Sequence, residues 1–552
     1  MSIAATKLDI PSDAAVIDCP DPIWVEAVPL AKLEADGRAL IKRAGKQIAL
    51  FATRGGVRAI ANRCPHEGYP LSEGTLADGA STDDGASQPA CTLTCNWHNW
   101  KFDLETGEVV GGGDRVRTYP VDIRDHMVWV DVVDPPARVR IDKALAGLKS
   151  SFRRYEYDRM ARDLARIEAA GGELAEAVRA AIGWTHDRFE WGMTHAYAAL
   201  PDWLAIAGEA ADPGDRLAAH AEILGHLVWD SLREDRYPFA DGRAPWDEDR
   251  FVAAIEAEDE TTAARLFRGG LNAGGLAAVD RGLCRAALAH YQDFGHSVIY
   301  VEKVRESVER LGPEVAEAMG LALVRALVTA RREDLIPEFR AYRPAREAWT
   351  GRGRAVPKPA DFCRASVSKC LDHGVAASAD PGRLYDALIE AAAWQLLHAD
   401  PLYATRPHQP VSQNATRLDF SHAITFANAG RRMAERFPEL WPDVLLQIAC
   451  FLGRNAGFVD PAYPADRWRV SDERAFVAEA AANIVDHGNP EYIVSAHLLK
   501  MTCAVREEVT AQPNASWVPG LVAALNRFLN EPFKRKLTRR TAHQARKTVE
   551  GE

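Results

Sequence analysis

Several patterns are missing from this chain. No run of ~18 apolar residues occurs anywhere in its 552 residues, so no transmembrane helix is expected. Met1 to Asp21 has no basic-then-apolar leader, which points to the cytoplasm. Cysteine is scarce: nine residues, mostly scattered, fit a reducing compartment rather than a disulfide framework. Basic charge is outnumbered, and a net charge of −11 argues against nucleic acid as a partner. No Rossmann-type glycine fingerprint is present, because Gly111-Gly112-Gly113 lacks the strand–turn–helix setting it needs. No nicotinamide or flavin domain is therefore expected. What is abundant is apolar side chain, 47% of the total, enough at this length for two or three domains with sizeable cores.

The chemistry concentrates between Arg63 and Asp103. Cys64-Pro65-His66 and Cys95-Asn96-Trp97-His98 supply two thiolates and two imidazoles on two short stretches. Two cysteines can hold one iron of a [2Fe–2S] cluster while two histidines hold the other. Pro65, Gly68 and Pro70 in the first stretch, and Asn96 and Asn99 in the second, are turn formers that can aim both at one cluster. A Cys2His2 zinc site would use the same ligand types.

The run Cys64-Pro65-His66-Glu67-Gly68-Tyr69-Pro70-Leu71-Ser72-Glu73-Gly74, followed by Cys95-Asn96-Trp97-His98-Asn99-Trp100-Lys101-Phe102-Asp103, resembles the Rieske iron–sulfur domain of ring-hydroxylating oxygenases and their ferredoxins. The likeness extends over residues 22–135. It implies a [2Fe–2S] cluster held by Cys64, His66, Cys95 and His98, fed by an external NAD(P)H-dependent reductase or ferredoxin. The inner ligands are separated by residues 67–94, 28 in all, more than the family pattern. The excess, Ala77 to Pro89, reads as a polar surface loop. The extra cysteine that joins the ligand loops of respiratory-type Rieske proteins is lacking, and Cys91 reads as a bystander.

Short apolar alternations at 23–25, 39–42, 48–52, 57–60, 109–110, 117–119, 121–123 and 127–130 predict an antiparallel β domain. From Ile141 to Asn530 the texture becomes helical. Helices are predicted over 158–181, 193–211, 215–233, 249–268, 279–311, 314–331, 382–399, 420–436, 442–452, 472–487 and 490–507. The expected fold class is α+β multidomain: a Rieske β domain over residues 1–138 and a large all-α domain over 139–552, with a linker or crossover at 342–360. The basic tail after Phe533 reads as a solvated end. The Asp-x-x-His-x4-His iron motif of ring-hydroxylating oxygenases is not matched, and Asn483-x-x-Asp486-His487 with His497 has the wrong spacing.

Eight histidines lie in apolar helical context: His195, His220, His226, His290, His296, His398, His422 and His497. A lone histidine there is usually a packed core residue, but several on facing helices of a bundle can converge on a metal. For O2 chemistry the usual set is non-haem iron with two histidines and a carboxylate. The candidates are His195, His226, His296 and His422, with Glu222 or Asp419 as the carboxylate. Glu222 and His226, at i and i+4, share a helix face. His195, His296 and His422 are the catalytic candidates, one of them a general base if it is not a ligand.

Phe294-Gly295-His296-Ser297-Val298-Ile299-Tyr300 resembles the Gly-x-His-Pro-Leu-Ile-His segment of questin-oxidase-like proteins, with Tyr300 in place of the second family histidine. Leu418 to Thr425 is similar to that family's His-Ala-Leu-Thr segment, and Thr194-His195 leading into Leu200-Pro201-Asp202-Trp203-Leu204 to its early helix. The resemblance implies an all-helical oxygenase that inserts oxygen into, and opens, aromatic polyketide-like compounds. The leading expectation is a cytoplasmic Rieske-dependent oxygenase, mono- or Baeyer–Villiger-type, acting on a small molecule with O2. A homo-oligomer is compatible with it. Two alternatives stay open: an electron-transfer protein with a helical docking or oligomerisation module, and metal-free oxidation in the helical half.

Overall fold

The computed structural model describes residues 20–79, 91–406, 415–532 and 537–550. The expected leader-free N-terminus, most of the Ala77–Pro89 excess and the start of the basic tail lie outside them. The chain forms two compact units, 1–173 and 174–552. Residues 139–173, assigned to the helical domain by sequence, count with the first. Among the described residues no helix is long and apolar enough to cross a membrane.

The first unit is built from three small antiparallel sheets. One orders β1 (Trp24–Pro29), β11 (Met127–Asp131) and β10 (Val121–Arg124); another β2 (Arg38–Arg43), β3 (Lys46–Thr53), β4 (Gly56–Ala61) and β9 (Thr118–Tyr119). The third runs β5 (Thr75–Asp78), β6 (Cys91–Thr94), β7 (Lys101–Asp103), β8 (Val109–Gly111). Side chains alternate across β3, as a strand requires. Ile48 and Leu50 face one core with Leu33, Val128 and Val130. Ala49 and Phe51 face a second with Leu71, Leu93, Phe102, Cys64 and Cys95. That second core is the floor under the ligand loops.

A short helix α1 (Leu30–Asp36) and a helical pair, α2 (Ala137–Arg154) and α3 (Tyr157–Ala169), complete the unit. Asp114, 1% exposed, accepts from Arg162 at 3.3 Å and Arg166 at 2.6 Å. This buried ion cluster fastens α3 to the β framework.

Among the described residues, the elements of the second unit are helices joined by irregular segments. Its helices are α4 (Leu174–Thr185), α5 (His195–Glu209), α6 (Pro213–Ser231), α7 (Glu248–Glu256), α8 (Glu260–Leu288), α9 (His296–Leu311), α10 (Ala316–Val328), α11 (Tyr342–Ala348) and α12 (Ala360–Cys363). They continue with α13 (Val367–Ala376), α14 (Pro381–Leu397), α15 (Pro401–Thr405), α16 (Arg417–Arg436), α17 (Trp441–Asn455), α18 (Glu473–Ala482), α19 (Tyr492–Ala511), α20 (Val518–Asn530) and α21 (Thr538–Val549). The expected 279–311 helix is two, broken between Leu288 and His296, and 249–268 breaks between Glu256 and Glu260. In the expected linker, 342–348 is α11 and 349–359 is irregular.

Helices α5, α9, α16 and α19 form a ring in which α5 and α16 each pack on α9 and α19. Their direction follows from two layers of contacts. His195 meets His296 at one level, and Asp202 meets Lys303 seven residues further along both helices. His296 meets His422, and ten residues on Glu306 meets Arg432. His422 meets His497, and ten residues on Arg432 meets Glu507. Equal offsets in the same sense require four parallel helices with a shared N-terminal end.

Candidate metal centres

The two cysteine loops have the same backbone. The N–H of Gly68 donates to the Cys64 carbonyl and that of Asn99 to the Cys95 carbonyl, at 2.8 and 3.0 Å. The N–H of Cys64 donates to Tyr69 O and that of Cys95 to Trp100 O, at 2.9 and 2.7 Å. Gly68 and Asn99 both take positive φ, 80° and 60°, the conformation that glycine and asparagine tolerate best. The repeated turn buries both sulfurs and leaves the histidines at the rim. Burial pushes the Cys64 thiol up to about 11; the His66 backbone N–H opposes the rise and the adjacent Cys95 adds to it.

His66 Nδ1 and His98 Nδ1 lie 3.0 Å apart. Two nitrogens about 2.1 Å from one metal ion in tetrahedral geometry are roughly 3.4 Å apart, so the pair is spaced for one ion. Trp100 stacks on His66 at 4.6 Å and Trp97 on His98 at 5.6 Å. Asn96 ties the second loop to the first by donating to Glu73 O at 2.8 Å and accepting from Thr75 at 2.8 Å. The donor set fits a mixed cysteine–histidine cluster on chemistry and spacing alike.

In the helical unit, ligand atoms of His195, His296 and His422 lie within 4.8 Å of one another. A fourth ring, His497, is 4.8 Å from His195 and 5.0 Å from His422 between centroids. Each helix of the ring supplies one histidine. His296, His422 and His497 place Nδ1 2.6 Å from the carbonyls of Asp293, Leu418 and Ile493. A carbonyl only accepts, so each Nδ1 carries the proton and each Nε2 keeps its lone pair.

His296 Nε2 and His422 Nε2 face each other at 3.1 Å. The Nε2 atoms of His195 and His497 are buried without a partner. Burial holds His296 down to about 4 and His497 to about 3, and pulls His195 and His422 well below the ordinary range. Neutral acceptors facing each other can hold a cation, and imidazole suits iron, zinc, copper or nickel. Lys500, one turn beyond His497, is also buried with Nζ unpartnered, its ammonium drawn down to about 8 by burial.

The other candidates face elsewhere. His226 stacks on Tyr492 at 5.0 Å with Nε2 3.4 Å from Asp230. Glu222 meets His487 at 3.0 Å. Asp419 closes the capping box of α16 with Thr416 and pairs with Arg454 at 3.1 Å. His290 pairs with Glu256 at 2.7 Å, while the Nδ1 atoms of His220 and His398 each meet a carbonyl one turn back, at 2.8 Å. The geometry thus offers four imidazoles where two and a carboxylate were expected. A cavity of ≈ 360 Å³ lies beside α16 and α19. Leu418 and Ile493, whose carbonyls hold His422 and His497, line it with Phe420, Leu498 and Phe528.

The family model for the Rieske [2Fe-2S] domain matches residues 23–120. The 3-phenylpropionate/cinnamic acid dioxygenase ferredoxin subunit of Shigella boydii is 32% identical over 110 residues, 20% of this chain and 92% of that one. The chain belongs to the Rieske [2Fe–2S] family. The naphthalene 1,2-dioxygenase system ferredoxin component of Pseudomonas putida is 28% identical over 111 residues, 20% of this chain and 95% of its own. The 4beta-methylsterol monooxygenase of Methylococcus capsulatus is 34% identical over 121 residues, 19% of this chain; the chain spans 30% of that relative's length. Among solved structures, apo dicamba monooxygenase aligns at 29% identity over 21% of this chain and 34% of its own, with a TM-score of 0.17. Each of these relatives and structures matches only about a fifth of this chain.

Within the Rieske domain, sequence reading named the ligand pairs but not their support. Gly112, with φ +132°, has its hypothetical Cβ 2.6 Å from the Trp100 ring. It gives Trp100 the room to stack on His66. In the helical unit the reading named the three histidines whose ligand atoms converge but not His497, whose ring packs against two of them. Its signal was a histidine in a helix apolar on nearly all sides.

Proposed function

We propose that the chain is a Rieske-dependent oxygenase whose first unit receives electrons and whose helical unit carries out the oxygen chemistry. Cys64, His66, Cys95 and His98 hold the [2Fe–2S] cluster, and His195, His296, His422 and His497 hold a non-haem metal ion, iron by preference. Bound there, the cluster supplies single-electron transfer and the ion supplies dioxygen activation. The observation that carries the reading is the convergence of His195, His296 and His422, with His497 packed against two of them and the Nδ1 atoms of His296, His422 and His497 turned to backbone carbonyls.

The chain's own groups suit that task. Locked tautomers keep the imidazoles as acceptors without reorganisation. Helices α5 and α9 begin at His195 and His296, and helix N-termini favour negative charge close to them. Lys500 Nζ is left to hydrogen-bond whatever occupies the centre. The apolar cavity beside α16 and α19 suits an aromatic small molecule, in keeping with the questin-oxidase-like segments and with relatives named for naphthalene and cinnamic acid systems. Oxygen insertion of Baeyer–Villiger type and an external reductase or ferredoxin belong to the same proposal, as does a cytoplasmic setting.

The test follows the cluster's electrons. Protein reduced under argon is mixed with oxygenated buffer and the decay of the reduced-cluster spin signal is timed. In His422→Ala the decay is expected to slow at least tenfold with cluster content unchanged. Equal decay in both proteins refutes the helical unit as the electron sink.

A further inference from the structure

Immediately before His296 the chain makes a turn that L-residues avoid. Asp293, Phe294 and Gly295 all have positive φ, 46°, 50° and 77°. Glycine adopts this region freely, but phenylalanine is a genuine outlier there. Such strain persists only where the surroundings over-determine it.

The turn is laced to a distant strand of chain. The N–H of Asp293 donates to Arg331 O at 2.7 Å, and that of Asp334 to Tyr291 O at 2.9 Å. Between these two backbone bonds, Glu333 Oε2 accepts from the N–H of Phe294 at 3.0 Å. Gly295 completes the fit, since a Cβ there would lie 2.8 Å from both Phe426 and Phe451.

The turn touches two of the four histidines. Its first carbonyl, Asp293 O, receives the His296 Nδ1 proton and so frees Nε2. Its Phe294 ring lies 4.8 Å from His422 and is backed by Phe451 at 5.4 Å. The orientation of both rings therefore depends on a left-handed turn held at its centre by one side-chain bond.

We propose that Glu333 is a positioning residue for the four-histidine centre, acting through the Asp293–Gly295 turn on His296 and His422. This rests on reading those imidazoles as a metal site. Glu333 is not among the converging ligand groups; it holds the Phe294 N–H that keeps the turn in its strained form. The bond needs an acceptor oxygen at that reach and does not need the charge.

The test is Co(II) binding to the cluster-loaded full chain after the helical site has been stripped, read by affinity and by the visible ligand-field band. Wild type is expected to take up one Co(II) at this site, and His422→Ala none. Glu333→Ala should bind about 10- to 100-fold more weakly, the usual cost of losing outer support, with a shifted band. Glu333→Gln, whose amide oxygen can accept the same bond, should match wild type, and Glu333→Asp, one methylene short, should match Glu333→Ala. If Glu333→Ala does not fold, the Gln and Asp variants decide alone. Wild-type affinity and band in Glu333→Ala or Glu333→Asp would overturn the inference, as would a Glu333→Gln variant as weak as Glu333→Ala. No Co(II) uptake by wild type would overturn the metal reading itself.

Discussion

A histidine becomes a ligand by where its proton sits. His296, His422 and His497 each donate the Nδ1–H to a carbonyl at 2.6 Å, and burial keeps the rings neutral. Replacing His497 by Ala is expected to weaken metal binding in the helical unit at least tenfold, checked by elemental analysis after dialysis; His226→Ala should leave it unchanged. Both lie in apolar helices, and their sequence context does not separate them. What separates them is the partner, Ile493 O for one and Asp230 for the other. Sequence could name His195, His296 and His422 but not which further histidine joins them. It also chose Glu222 by i,i+4 spacing, which sets a face and not a partner; that face offers His487.

At the level of elements, the ligand loops were legible because cysteine, histidine and turn formers are all local signals. The sheet that carries them was not. β5, β6 and β7 are three or four residues long, too short for alternation to register, and they form because each pairs with its neighbour; of this sheet only β8 was foreseen, at 109–110. Likewise the break before His296 is hidden, since only the tertiary bonds to Arg331 and Glu333 make Asp293 and Phe294 left-handed. Two substitutions test these supports. Gly112→Ala adds a methyl at φ +132° against Trp100; it should cost about 1–3 kcal/mol, as overpacking does, and alter the reduced-cluster spectrum through His66. Phe102→Ala, emptying a fully buried site under the loops, should cost about 3–5 kcal/mol, seen as a lower unfolding midpoint of the first unit.

Across the whole molecule the buried imidazoles set a dependence on pH. His296 titrates at about 4 and His497 at about 3 in the folded chain, against an ordinary 6.5. As pH falls below 6.5 the unfolded chain takes up protons that these rings refuse, so their contribution to stability is present above that value and lost on acidification toward 4, against the opposite trend of Asp202, Asp230, Asp293 and Glu333, whose carboxyls burial raises to about 6 or 7. Urea unfolding of metal-free protein, followed by helical circular dichroism, should show His497→Leu losing less of its midpoint over this window than wild type does. A midpoint as steep in the variant contradicts the assignment. The two-part plan, β then α, was legible from the change in periodicity. The meeting of four parallel helices was not, because residues 195, 296, 422 and 497 are brought together only by the fold.

The most direct test of the account is iron per chain in protein purified without oxygen, taken with the spin spectrum after dithionite reduction. The account predicts a Rieske signal and metal beyond the two cluster irons, the surplus lost in His296→Ala or His422→Ala while the signal stays. Two irons per chain and no other transition metal, in wild type and variants alike, would contradict it.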